Sequence, residues 1–598
     1  MNARPEELQS KQLVEVAMGR RPADLVVRAG RWVCVQSGEI LPGTDVAIAG
    51  ERIAYVGEDA SHTIGEHTLL VEADGRHLVP GLLDGHMHVE SSMLTITEFV
   101  RAALPHGTTG IFIDPHEIAN VFGLDGVRMM VEEARRQPIH VWVQMPSCVP
   151  SAPGLETAGA ALGPAEVAEA LSWPGVIGLG EMMNFPGVIL GADSPHAEMA
   201  ETRAAGKVIG GHYASQDLGR PFHGYAAGGP QDDHEGTRLE DAVARIRQGM
   251  KVMMRLGSAW HDVAEQLRAI TELGLDPRHF ILVTDDCLAA TLVEEGHMDR
   301  VVRHAIEQGA DPMLAIQLAT LNPAEHFGVA TEVGQIAPGR FADLLLVPDL
   351  KQFAVDSVIA KGRIAAEAGE LRLTPSEFEY PRQVRASVHL ARELVPEDFR
   401  LPVAANGRVQ ANVIGVIENQ APTRHLRLSL NPVAGQLATD LSQDLAKVAL
   451  VERHRGTGQI RVGLVQGFGF KVSCAVASTV AHDSHHMLVV GTDEASMAVA
   501  ANQLARVGGG QIVVRAGKPI ALVELPIAGL MSDEPAERVA SKTKKLLQAF
   551  RECGCTLNNP NMQLSLLALV VIPELRISDK GLIDVNHFEV LSVVEPHP

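Results

Sequence analysis

Between residues 81 and 328 the chain repeats one pattern: a short apolar run, a helical stretch, then the next apolar run. The first run leads into GLLDGHMH, and the others are GTTGIFID (107–114), IHVWVQM (139–145), GVIGLGEM (175–182), KVIGGH (207–212), a short DDHEG (232–236), KVMMRLG (251–257) and FILVTDD (280–286). Neighbouring parallel strands need a crossover long enough to be a helix, so this alternation dictates a parallel sheet covered by helices. Eight such units in about 250 residues predict a closed (β/α)8 barrel, whose chemistry gathers at the C-terminal ends of the strands.

The flanks read differently. Residues 1–22 form an N-terminal helical extension, with Leu8, Leu13, Val16 and Ala17 at helical spacing. Residues 23–80 are short alternating segments punctuated by Gly30, Gly38, Gly43, Gly50 and Gly57, and 329–370 return to the same texture. Together they predict a β-sandwich built from both sides of the barrel, residues 81–328. A linker region (371–420) and a C-terminal α+β domain (421–598) complete the α/β architecture.

With 51 basic and 73 acidic residues the net charge is −22, which argues against nucleic acid or an anionic membrane as partner. Six scattered cysteines suit a reducing, cytoplasmic setting. The first residues lack the apolar core of a secretory signal, and LSLLALVVIP near the C-terminus is far short of the roughly 20 residues that cross a bilayer. The margins of so large a barrel suit a homodimer.

The opening strand carries His86 and His88, one residue apart. Alternate side chains of a strand share a face, so both imidazoles can grip one metal ion while Met87 turns into the packing. Other strand ends supply Glu181, His212, His234 and Asp285. Four imidazoles and two carboxylates exceed one ion's needs and suit two divalent cations bridged by a carboxylate, with a hydroxide between them. Such ligands accept Mn, Fe or Zn.

The opening GLLDGHMH, the strand-end ligands and the closing LNPAEHFGVATEVGQIAPGRFADLLLV resemble the amidohydrolase superfamily over about residues 23–370. Within it the chain is similar to the adenine deaminases, through HMHVESSM, IDPHEIANV, GLGEMMNFPGV, DDHEGT, VASTVAHDSHHMLVVG and LPIAGLMS. The resemblance implies hydrolysis of adenine to hypoxanthine and ammonia on a binuclear metal centre. Many superfamily members place a carboxylated lysine on the fourth strand, where this chain has Glu181.

That reaction needs a hydroxide nucleophile, an acid at purine N1 and a carrier that turns the amino group into ammonia. Asp285 is expected to carry the proton. Glu117 is the expected acid, with Asp114 supporting it by hydrogen bonding or like charge. A capping box at the helix start, Asp114 as cap and Glu117 at the third position, is the bland alternative. Glu90, Ser91, Ser92 and His116 are expected to bind the purine. His88-Val89-Glu90 has the H-x-E form of zinc nucleoside deaminases, but no P-C-x-x-C follows. His482, Asp483, His485 and His486 are expected in a solvated loop or one reaching the barrel mouth. A cyclic amide hydrolase of dihydroorotase or hydantoinase kind is the nearest rival and would favour a strand-four lysine; a catalytically silent scaffold would show an eroded ligand set.

Overall fold

The computed structural model describes residues 5–404 and 407–595. β1 (Leu82–Met87), β2 (Thr108–Ile113), β3 (His140–Met145), β4 (Val176–Met182) and β5 (Val208–Gly211) lie in chain order in one parallel sheet. β6 (Asp232–Asp233), β7 (Lys251–Arg255) and β8 (Phe280–Val283) form a second parallel sheet. Hydrogen bonds cross both gaps. The Gln231 N–H reaches Ile209 O at 2.9 Å, and between β8 and β1 the Asp285 N–H donates to His86 O and the His88 N–H to Asp285 O, both at 3.0 Å. The result is a curled parallel sheet with its strand ends facing one side.

Close approach of β1 to β8 depends on Gly85, because a Cβ there would stand 2.7 Å from Ile281 Cγ2 and 3.3 Å from Val283 Cγ1. Asp84 fastens the same seam. One of its oxygens accepts the Thr284 N–H at 3.1 Å, and the buried His297 Nε2 lies 3.1 Å from the other. The D-G-H-M-H sequence thus combines a buried staple, a glycine that permits contact and two histidines on one face.

His77–Pro80 pairs antiparallel with Leu344–Val347, which places the segments before and after the curled sheet in one nine-stranded sheet. The helix Pro5–Ala17 packs near it, with Val16 buried beside Val26, Ala47 and Ala54. The C-terminal eight-stranded sheet starts at Val409, inside the stretch expected to be linker, because VQANVIG pairs with both Arg424–Leu430 and Ile460–Gln466. Between Leu371 and that strand there is one short 3-10 turn, Pro396–Phe399.

The C-terminal unit docks where β1 and β8 end. Its Ser532 N–H donates to Met93 O at 2.8 Å, and Glu537 pairs with Arg101 at 2.8 Å. Met93, Leu94, Leu530 and Met531 belong to one continuous buried cluster. Among the described residues no helix is long and apolar enough to cross a membrane.

Gly85→Ala should force β1 away from β8 and cost about 1–3 kcal/mol, the usual penalty of overpacking. Thermal unfolding should show a lower midpoint together with reduced metal content; a variant with wild-type values for both would remove Gly85 from this role.

Candidate metal centre

The end of β4 presents Glu181 to all four imidazoles of the expected ligand set at once. Its Oε2 lies 2.7 Å from His212 Nδ1, 2.9 Å from His234 Nε2 and 3.9 Å from His86 Nε2, and its Oε1 lies 3.6 Å from His88 Nε2. Asp285 Oδ1 faces the first pair from the opposite strand, 3.5 Å from His86 Nε2 and 3.3 Å from His88 Nε2. All six expected metal ligands therefore meet at one end of the curled sheet, and every one is buried. They fall into overlapping groups, His86–His88–Glu181, His86–His234–Asp285 and Glu181–His212–His234, whose donor atoms lie within 4.8 Å of one another.

Supporting contacts fix these side chains. His88 Nδ1 donates to Asp114 O at 2.9 Å, so its Nε2 lone pair is free for a cation. Asp114 Oδ2 accepts the Glu181 N–H at 2.8 Å, and Ser147 Oγ donates to Glu181 O at 2.7 Å. Tyr225 hydroxyl accepts the His212 N–H at 2.7 Å. Asp285 has a positive φ of 61°, a backbone conformation uncommon outside glycine, and Arg255 binds its Oδ2 at 3.2 Å.

Electrostatics shows what the cluster suits. Burial opposes charge on both carboxylates, yet His212, His234 and His88 hold Glu181 well below the carboxylate range, and His86, His88 and His234 do the same for Asp285. In return, burial pulls His88 down but Asp285 and Glu181 lift it well above its ordinary value, and His212 rises to about 9 under Glu181. Two buried carboxylates thus draw protons onto the rings that would ligate a metal. His86 Nε2 and His212 Nε2 have no hydrogen-bond partner. A donor set of this kind fits divalent cations, whose charge would replace those protons.

The residues expected for catalysis and purine binding divide. His116 lines the cavity over the centre, with Nδ1 3.5 Å from Glu181 Oε1 and Nε2 3.6 Å from Asp483 Oδ1. Glu117 lies behind the wall, wholly buried, and Ser91 Oγ stands 3.0 Å from its Oε1. Ser91 also bonds Asp286; one hydroxyl hydrogen serves one carboxylate, so one of the two carboxyls must carry a hydrogen for both contacts to be hydrogen bonds. Among the described residues Asp114 makes no hydrogen bond to Glu117; its Oδ2 accepts the Glu181 N–H instead. Nor does the capping box form, since the helix His116–Ala134 starts after Pro115 with no side-chain cap.

Two purine-binding expectations change. Ser92 Oγ donates to Val89 O at 2.6 Å and so serves its own turn. Glu90 accepts the Ile118 N–H at 3.3 Å, wholly buried, and burial together with the Glu117 charge pushes it up to about 8. Ser91 faces an adjoining cavity of about 30 Å³ that shares His482 and Met562 with the first.

Several residues of the site escaped the sequence reading. Arg255, at the end of β7, bonds Glu235 at 2.5 Å and Asp262 at 2.7 Å as well as Asp285. An arginine closing an apolar strand was the available signal. Trp260 and Met183 line the cavity, and its roof comes from the C-terminal unit: Ala421, His482, Asp483, Met562, Leu566, Leu569 and Ile572. The 482–486 loop is therefore buried at the mouth rather than solvated.

Two family models match the chain, the amidohydrolase family over residues 77–365 and the adenine deaminase C-terminal domain over 420–589. Relatives match from end to end. Adenine deaminase 3 of Rhizobium meliloti (strain 1021) is 60% identical over 583 residues, covering 98% of each chain. The adenine deaminase of Mesorhizobium japonicum is 61% identical over 96% of each chain, and that of Moorella thermoacetica 51% identical over 99% of each.

Glu181→Gln keeps the shape of the side chain but removes the charge that organises four imidazoles. Elemental analysis should find the variant depleted in metal, with near-wild-type secondary structure by circular dichroism. Full metal occupancy would deny Glu181 its central place.

Proposed function

Because the chain belongs to the amidohydrolase family, in its adenine deaminase branch, we propose that it converts adenine and water to hypoxanthine and ammonia. The observation that carries this is Glu181: a carboxylate on the fourth strand, where many superfamily members place a carboxylated lysine, reaches both halves of the ligand set. The curled sheet is read as a closed (β/α)8 barrel over residues 81–328, flanked by a β-sandwich (23–80 with 329–370) and followed by the C-terminal α+β domain. The hydrogen bonds across both gaps between its two sheets support that reading.

His86, His88, Glu181, His212, His234 and Asp285 would hold two divalent cations, of Mn, Fe or Zn. When bound, such cations supply Lewis acidity and make hydroxide available near pH 7. The chain's own residues do the rest. A flat purine enters between the polar floor and the roof of Trp260, Met562, Leu566, Leu569 and Ile572, which exclude bulk water.

Attack at C6 breaks aromaticity and drives electron density onto N1, which receives the proton of Glu117 through the Ser91 hydroxyl beside its Oε1. Asp285, held charged by its histidines and Arg255, takes the proton of the attacking hydroxide and passes it to the 6-amino group. Ammonia leaves, C6 becomes a carbonyl, and N1 keeps the proton from Glu117. Glu117 is restored when the next water gives up its first proton, so the cycle balances. His116 borders that space and Ser91 the adjoining cavity, and both are assigned to the purine edge. The rival cyclic amide hydrolysis loses support from the carboxylate at strand four.

Metal-replete protein incubated with adenine, other 6-aminopurines and dihydroorotate should give hypoxanthine and stoichiometric ammonia from adenine, followed by ultraviolet absorbance. Ring opening of dihydroorotate with no hypoxanthine would overturn the assignment. Glu117→Gln should retain two metals and lose about 10²–10⁴ in kcat, the usual worth of a general acid; unchanged turnover would return Glu117 to a structural role.

A further inference from the structure

Every proton-transferring group in the mechanism above sits on the barrel, yet the space behind Glu117 is closed by the C-terminal domain. The segment AHDSHH, residues 481–486, joins the strands Cys474–Ser478 and Met487–Gly491 and turns into the barrel mouth. His482 and Asp483 line the cavity. His485 passes behind them, with Nε2 4.0 Å from Glu117 Oε2. Both side chains are wholly buried, and neither of these two atoms has a hydrogen-bond partner among the described residues.

The position of the ring hydrogen follows from a backbone contact. The Ala481 N–H donates to His485 Nδ1 at 3.2 Å, so Nδ1 holds the lone pair and Nε2 the hydrogen. Burial, with the charge of His482 nearby, keeps the ring neutral. The ring atom nearest Glu117 Oε2 is thus the one that carries the hydrogen. The separation exceeds hydrogen-bond length by roughly 1 Å, within reach of a turn of the carboxyl group.

The loop is held in this shape against a cost. His485 has φ of 51°, the left-handed region that non-glycine residues enter at a penalty. The wholly buried Arg453 offsets it, donating to His485 O at 2.6 Å and to Ala528 O at 3.0 Å. The His485 N–H closes the turn on Ala481 O at 2.8 Å. A costly backbone conformation clamped by a buried arginine is how a single donor is kept on target.

We propose that His485 is a positioning residue for the proton donor: its Nε2–H holds Oε2 of Glu117, leaving Oε1, beside Ser91, as the oxygen that carries the proton. This gives the C-terminal domain a part in the chemistry and not only in the roof. The inference rests on the reading of Glu117 as the acid.

A double-mutant cycle tests it. His485→Leu should lower kcat about tenfold or more with little change in KM and with two metals retained, since misplacing a catalytic group by about 1 Å is costly. His485→Gln, whose amide N–H reaches the same place, should recover most of that loss, and His485→Asn should not. In the Glu117→Gln background His485→Leu should change kcat by less than about twofold, because the group it positions is already gone. Equal proportional losses in both backgrounds, or equal activity of the Gln, Asn and Leu variants, would overturn the proposal. Wild-type turnover of Glu117→Gln would instead overturn the assignment of the acid, and this inference with it.

Discussion

The centre depends on one buried carboxylate. Glu181 touches or faces His86, His88, His212 and His234, and its own backbone is pinned by Asp114 just past β2 and Ser147 past the end of β3. A lone ionised carboxylate in such a place would cost several kcal/mol. Here the cost is offset by surrounding it with groups that carry, or accept, positive charge. Asp285 repeats the arrangement on the opposite strand with Arg255 as its permanent cation. The geometry of the ligands and the demand for cations are therefore the same fact.

That demand also explains the division of labour between domains. The curled sheet supplies a polar floor of histidines and carboxylates, and the C-terminal unit supplies an apolar roof from the helix Pro560–Ser565 and the turn after it. LSLLALVVIP, too short to span a membrane, covers the cavity, with Leu566, Leu569 and Ile572 on its wall. Contact between floor and roof is itself charged. His116 reaches Asp483 at 3.6 Å, and Asp483 lifts His116 to about 10 against the opposing pull of burial. Docking and site assembly are thus coupled through the same side chains.

Much of this was legible before any coordinates. Seven of the eight strands announce themselves because each is an apolar run bounded by helical spacing, as suits a strand buried on both faces, whereas Asp232–Asp233 is legible only from its place in the alternation. His86 and His88 are recognisable because a two-residue period places both on one face, and Glu181, His212 and Asp285 because they close such runs. Ser92 misled because a serine beside a metal pair looks available, although its hydroxyl closes a local turn. Asp114 misled for a related reason: nearness to Glu117 in sequence suggested a pair, while its real partner is the Glu181 N–H, 67 residues away.

By itself the sequence determined the periodicities, and with them the strand order, the faces of the ligands and the chemical types assembled at the strand ends, because these follow from local backbone geometry. Tertiary structure alone decided which carboxylate sits among the imidazoles, that Arg255 neutralises Asp285, and that His485 and the roof residues of another domain reach the same space. Those relations join positions distant along the chain, and only the packing of one surface on another sets them, since no spacing within a segment records how far apart two segments end.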